Sequence, residues 1–182
     1  ELGQGNQKPA VLEKLAQYEL TLLDWVDAHK GYRKYAAIAG KCWPAFQTQF
    51  GFVPCYVNSR LTGAGLPVSC EVDIYGALSE YIGACVSEDA VTLLDINNTV
   101  PADMYQESIK GKFPYSQKDT FMGFHCGNTC SRKLKSFCMK NQKIMARSLP
   151  EEVTDGTLEG DILPGEITFF RLQSTADNIL RA

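Results

Sequence analysis

The stretch Cys70-Glu-Val-Asp-Ile-Tyr-Gly-Ala-Leu-Ser-Glu-Tyr-Ile-Gly83, led in by Pro67 and followed by Ala90-Val-Thr-Leu-Leu-Asp95, decides how the chain reads. Ile74, Leu78, Tyr81 and Ile82 keep helical spacing, which predicts a helix starting close to Glu71. Glu71 and Asp73 then stand in or near its first turn, where the helix dipole favours negative charge. The apolar run 90–94 predicts a strand that delivers Asp95 to its carboxyl end, where α/β folds usually meet their ligands.

Towards the N-terminus, Leu12, Leu15, Leu22, Leu23 and Val26 predict an amphipathic helix over about 10–30, with Pro9 in its first turn. Residues 35–40 read as a buried strand and 43–51 as a short helix or turn opened by Pro44. Another helix is expected after Pro54, broken by Gly63 and Gly65. Towards the C-terminus, 101–118 is polar and turn-rich and reads as a long loop. Thr120-Phe-Met-Gly-Phe124 reads as a strand presenting His125, 166–172 as another, and 178–182 as the start of one more. The first half is thus α/β and the second leans towards β.

At 182 residues the chain can bury a substantial core, and 45% hydrophobic with 21% charged residues is ordinary for a globular protein. A net charge of −3 gives no electrostatic reason to expect nucleic acid or an anionic membrane as partner. No apolar run approaches the ~20 residues that span a bilayer. The seven cysteines (Cys42, Cys55, Cys70, Cys85, Cys126, Cys130 and Cys138) are odd in number, and the first four lie in apolar segments. That pattern suits buried thiols in a reducing cytoplasm better than a disulfide framework. The start at Glu1 and the stop at Ala182 read as the ends of a fragment of a longer polypeptide.

Three element ends therefore present Glu71, Asp95 and His125. Two carboxylates and an imidazole can hold a divalent cation while leaving positions open for substrate oxygens, and oxygen-rich ligation favours Mn²⁺ or Mg²⁺. Such an ion would stabilise the charge that develops when a proton leaves the carbon beside a carbonyl, and nearby carboxylates could move that proton. Taken singly, each residue has a blander reading. A Glu at a helix start is most often a dipole or capping feature, and an Asp before Asn-Asn is usually a turn residue. A lone His after an apolar strand is more often a rim or core residue. His125, Cys126, Cys130 and Cys138 offer a rival zinc set, without the paired spacing of strong zinc motifs. His29 reads as a solvated helix terminus, and Arg132-Lys-Leu-Lys135 with Lys140 and Lys143 as a solvated helix face. Gly63-Ala-Gly65 lacks the remaining glycines and the lysine of a phosphate loop.

Four blocks occur in order: Ala39-Gly-Lys-Cys-Trp-Pro44, Pro67-Val-Ser-Cys-Glu-Val-Asp73, Leu93-Leu-Asp-Ile-Asn-Asn98 and Phe124-His-Cys-Gly-Asn128. Together they resemble the L-fucose isomerase-like branch of the fucose/arabinose isomerase family, from about Tyr35 to the end of the chain. The resemblance implies a cytoplasmic, oligomeric enzyme that interconverts an aldose and a ketose through an enediol, usually with Mn²⁺, on a pentose or a 6-deoxyhexose. It implies metal binding and proton transfer at Glu71 and Asp95, with His125 as the candidate imidazole ligand. Trp43, Asn97 and Asn128, which stand in the matching blocks, are the expected substrate contacts. The implied architecture is the end of a Rossmann-like α/β domain, residues 1–86, followed by the start of a β-rich C-terminal domain, residues 87–182. A fragment of this kind is expected to be inactive alone. The alternatives are a non-catalytic sugar-binding relative of the same fold, or a structural zinc module.

Overall fold

Pro9 opens a single 3₁₀ turn that runs directly into α1 (Leu12–His29), whose core face carries Leu15 with Val11, Tyr18 and Leu22 around it. This computed structural model describes residues 8–125 and 128–182. A short strand, β1 (Ile38–Ala39), pairs in parallel with β2 (Val68–Ser69) in the register Ile38↔Val68 and Ala39↔Ser69. The connection between them is helical, through α2 (Ala45–Phe50) and α3 (Cys55–Gly63), each preceded by a proline, Pro44 or Pro54. Only Arg60 and Gly63 of α3 escape burial, and Arg60 turns outward to Glu19 at 2.8 Å. Apolar residues from α1, α3, β2 and a later hairpin close one core around Leu15, Val57, Leu61, Val68, Met139 and Leu158. Next comes α4 (Ile74–Ser87), capped by Asp73.

The contacts divide the chain into two units, one within Glu1–Leu93 and Cys126–Ala182, the other within Leu94–His125. The smaller unit holds β3 (Asp95–Asn97), α5 (Ala102–Ser108) and β4 (Met122–Phe124), with β3 and β4 antiparallel. The larger unit ends in two antiparallel hairpins. The long one pairs β5 (Leu134–Asn141) with β6 (Asp155–Ile162), and the short one pairs β7 (Gln173–Ser174) with β8 (Leu180–Arg181). Among the described residues the architecture is thus helices with four separate two-stranded sheets, a mixed α/β composition.

Four local expectations need correction. Residues 90–94 form no strand among the described residues; Val91 and Leu93 pack by their side chains along the glycines of α4, Gly83 and Gly76, so Asp95 opens β3 instead of ending a strand. The expected loop 101–118 contains α5, a surface helix with no buried residue and hence no apolar period to betray it. Residues 166–172 join no ladder among the described residues. The basic run 132–135 is a 3₁₀ turn leading into β5, and its Arg132 and Lys133 grip Asp89 at 3.1 and 2.6 Å, which holds that carboxyl well below the usual carboxylate range, Lys133 contributing most.

Candidate functional site

The carboxyl ends of β1 and β2 build the first half of the site. After β1 the chain passes Gly40, Lys41 and the buried Cys42, whose carbonyl accepts from Gln47 Nε2 at 3.1 Å, and then exposes Trp43. After β2 it passes the buried Cys70 and makes a tight turn. Glu71 and Val72 both adopt left-handed backbone conformations, with φ of 59° and 60°. Such angles cost about 1–3 kcal/mol per non-glycine residue, most for a β-branched one such as Val72. The turn is held by its neighbours: Val72 N–H donates to Gly40 O at 3.1 Å, Asp73 N–H to Cys70 O at 3.0 Å, and Ser69 Oγ–H to Asp73 O at 2.7 Å.

Within Cys70-Glu-Val-Asp73 the two acids have different fates. Asp73 is used by the structure. Its Oδ1 accepts from Gly76 N–H at 2.8 Å as the cap of α4, and both its oxygens accept from Arg171, at 2.7 and 2.8 Å. The Arg171 guanidinium, helped by the Gly76 amide and opposed by partial burial, holds the Asp73 carboxyl below its ordinary value. A Cβ on residue 76 would collide with that carboxylate, so the glycine makes room for it. Glu71, by contrast, is exposed, and its carboxylate makes no hydrogen bond or ion pair among the described residues.

In the smaller unit Asp95 pairs with Phe124, Ile96 with Gly123 and Asn97 with Met122. Alternation puts Asp95 and Asn97 on one face of this ribbon, both exposed, and the Asp95 carboxylate also has no partner among the described residues. His125, half-buried, directly follows β4. Asn128 lies in the larger unit and is buried, its Nδ2 donating to Val68 O at 2.6 Å, which ties it to β2. The predicted residues therefore divide: Trp43, Glu71 and Asn128 around the β1–β2 pair, and Asp95, Asn97 and His125 on the short ribbon.

Two carboxylates and an imidazole suit a hard or borderline divalent cation by donor type. Among the described residues no three His, Cys, Asp or Glu side chains are grouped closely enough to hold an ion. Of the rival zinc set, Cys126 lies outside the described residues; Cys130 is buried against Gly63 and Cys138 sits in β5.

Sequence reasoning missed Arg171, which stands 98 residues from Asp73 and has no local signal. It also missed an open groove of about 840 Å³ between residues 32–39 and the start of α4, lined by Tyr35, Ala39, Ile74, Leu78 and Tyr81. Its size falls in the range of small-molecule sites.

Residues 123–182 match the family described as L-fucose isomerase, C-terminal domain. Sulfoquinovose isomerase of Priestia aryabhattai is 24% identical, in an alignment covering 94% of this chain and 34% of that protein. The sulfoquinovose isomerase of Alkalicoccus urumqiensis is also 24% identical, over 94% of this chain and 34% of its own length. That of Clostridium sp. (strain MSTE9) is 34% identical over 88 residues, 42% of this chain and 20% of that protein. No solved structure matches.

The chain is thus similar to sugar isomerases. Its resemblance to the L-fucose isomerase-like branch holds over most of its length, and it spans about a third of the length of the curated relatives it matches.

Proposed function

We propose that this chain carries the proton-transferring carboxylates of a metal-dependent aldose–ketose isomerase. The observation that carries the reading is the contrast inside one tetrad: Asp73 is consumed by Arg171 and Gly76, whereas Glu71 is presented, uncommitted, at the carboxyl end of a parallel strand. In the reaction, one carboxylate takes the proton from the hydroxyl-bearing carbon next to the carbonyl while the carbonyl oxygen gains a proton, giving an enediol. Return of a proton to the former carbonyl carbon, with loss of the proton on the neighbouring hydroxyl to form the new carbonyl, completes the shift with atoms and electrons conserved. Glu71 and Asp95 are the groups assigned to these transfers.

By donor type Glu71, Asp95 and His125 suit a divalent cation, Mn²⁺ by preference or Mg²⁺, although these side chains are not grouped among the described residues; the charge of such an ion would lower the cost of developing negative charge on the substrate oxygens. Trp43 would pack on the sugar, and Asn97 and Asn128 would hydrogen-bond to it. The substrate class is a pentose or a 6-deoxyhexose. Sulfoquinovose, a hexose with a sulfonate in place of the 6-hydroxyl, heads the candidates because the relatives are named for it. The whole protein is expected to be a cytoplasmic homo-oligomer, in which 1–86 complete a Rossmann-like α/β domain and 87–182 begin a β-rich one. Among the described residues no helix is long and apolar enough to cross a membrane. The odd number of cysteines, several of them in apolar segments, supports a reducing compartment.

The test is proton exchange. The longest natural polypeptide containing this chain, loaded with Mn²⁺, is incubated in D₂O with sulfoquinovose, L-fucose and L-arabinose. Deuterium entering one C–H position of a sugar, and its loss in Glu71→Gln, are expected; no exchange with any of the three overturns the reading. The 182-residue chain alone is expected to catalyse no exchange.

A further inference from the structure

Residues 170–172 cross α4 as a strap. The Phe170 ring lies about where a Cβ on Gly83 would touch it, at 3.1 Å, and Leu172 N–H donates to Ser79 Oγ at 3.0 Å. Between them, Arg171 places two nitrogens on the two oxygens of Asp73, at 2.7 and 2.8 Å. This planar, two-point grip fixes both the position and the rotation of the carboxylate, as an ammonium could not. Asp73 in turn is one peptide away from Val72 and two from Glu71, both in left-handed conformations that persist only where their surroundings over-determine them. On the other side the turn is tied by Val72 N–H to Gly40 O and by Ser69 Oγ–H to Asp73 O. The exposed Glu71 carboxylate thus sits on a strained turn anchored at both ends, and one anchor reaches across to the strap.

We propose that Arg171 is a positioning residue for Glu71: by gripping Asp73 it holds the Glu71–Val72 turn in its left-handed form and so fixes where the Glu71 carboxylate stands. The role concerns placement, not chemistry, since Arg171 touches Asp73 and acts only through it. The catalytic consequence rests on the reading of Glu71 as a proton-transferring group; the conformational one does not.

Two measurements separate these. In the 182-residue chain, amide hydrogen exchange is followed at Val72 and Gly76 in wild type, Arg171→Met and Arg171→Lys. The Met variant is expected to exchange at both amides about tenfold faster, and the Lys variant to fall between it and wild type. Unchanged exchange in the Met variant overturns the proposal. Should Arg171→Met not fold, Arg171→Lys carries the same test, because it keeps the charge and loses the second nitrogen. In the longest natural polypeptide containing this chain, Arg171→Met is expected to lower kcat about tenfold with KM moving less than about twofold, and Arg171→Lys to recover part of kcat. A kcat equal to wild type, with Glu71→Gln inactive, overturns the positioning role. Should wild type itself show no exchange of any sugar, the isomerase reading fails while the amide measurement still judges the grip.

Discussion

The turn after β2 and the ribbon of β3 and β4 each present one of the two candidate carboxylates, yet they are held by different physics. Glu71 stands on a strained turn whose flanking residues are fixed by three hydrogen bonds and a two-nitrogen ion pair, against β2, where Val68 and Ser69 are fully buried. Asp95 stands on a three-residue strand with all its residues exposed, paired with another three-residue strand. A two-stranded ribbon of that length is marginal in water without further packing. One carboxylate is placed by contacts from several parts of the chain, the other by a single short ladder. The difference teaches that residues found in equally specific sequence blocks can differ widely in how firmly the fold holds them.

The largest effect that would break this comparison is in native-state amide exchange. The amides of Met139 and Leu158, paired in the long hairpin at the core, should be protected on the order of 10² times more than those of Ile96 and Gly123, paired in the ribbon. Equal protection would mean that the ribbon is as firmly held as the core. Next in size is the cost of truncation. Met139→Ala removes a side chain that is 0% exposed and should cost about 2–5 kcal/mol in denaturant unfolding. Ile96→Ala removes one that is 51% exposed and should cost less than about 1 kcal/mol. Similar costs at the two positions would again erase the contrast.

How legible these regions were in the sequence follows the same division. Pro9, Pro44, Pro54 and Gly63 punctuate α1, α2 and α3, so those helices and their limits could be read from local signals. The helix α4 and its acidic start were legible too, although the structure gives the cap to Asp73 and leaves Glu71 outside the helix. The longest hairpin was not legible. Register shifts at Leu134/Ser136 and Lys140/Asn141 break the two-residue alternation, and β6 carries three consecutive buried residues, Gly156, Thr157 and Leu158. Residues 166–172 look like a strand by composition, but their ordering contacts are to α4, some 90 residues earlier, through Arg171 and Leu172. The Glu71–Asp95 pair was visible as motifs; what holds Glu71 in place was not, because Arg171 lies in no motif.

The grip on Asp73 has a pH signature. With its folded-state carboxyl held below the ordinary value by Arg171, Asp73 binds a proton less readily folded than unfolded, so its stabilising contribution is complete above the usual carboxylate range of about pH 4. It is lost as the pH falls through that range towards the depressed value. Asp73→Ala should therefore cost about 1–2 kcal/mol at pH 7, from the lost cap and the lost pair, and the gap to wild type should narrow below about pH 3. Urea unfolding of both proteins at the two pH values measures it; a gap that stays constant would show that the ionised carboxylate contributes no more than its neutral form.

The smallest effect probes the strain itself. A valine at φ 60° pays for a conformation that glycine adopts freely, while glycine loses more entropy on folding than any other residue. At an ordinary exposed position in a strand or helix the second effect stands alone and Val→Gly destabilises. At position 72 the two oppose each other, so Val72→Gly should change the unfolding free energy by less than about 1 kcal/mol in either direction. The informative quantity is the pairing with Arg171→Met. If the strap holds a strained turn, relieving the strain should make the grip less necessary, and the double variant should lose less stability than the two single changes sum to. Strict additivity would mean that Arg171 and the turn act independently, and Glu71 would then owe its placement to β2 and Gly40 alone.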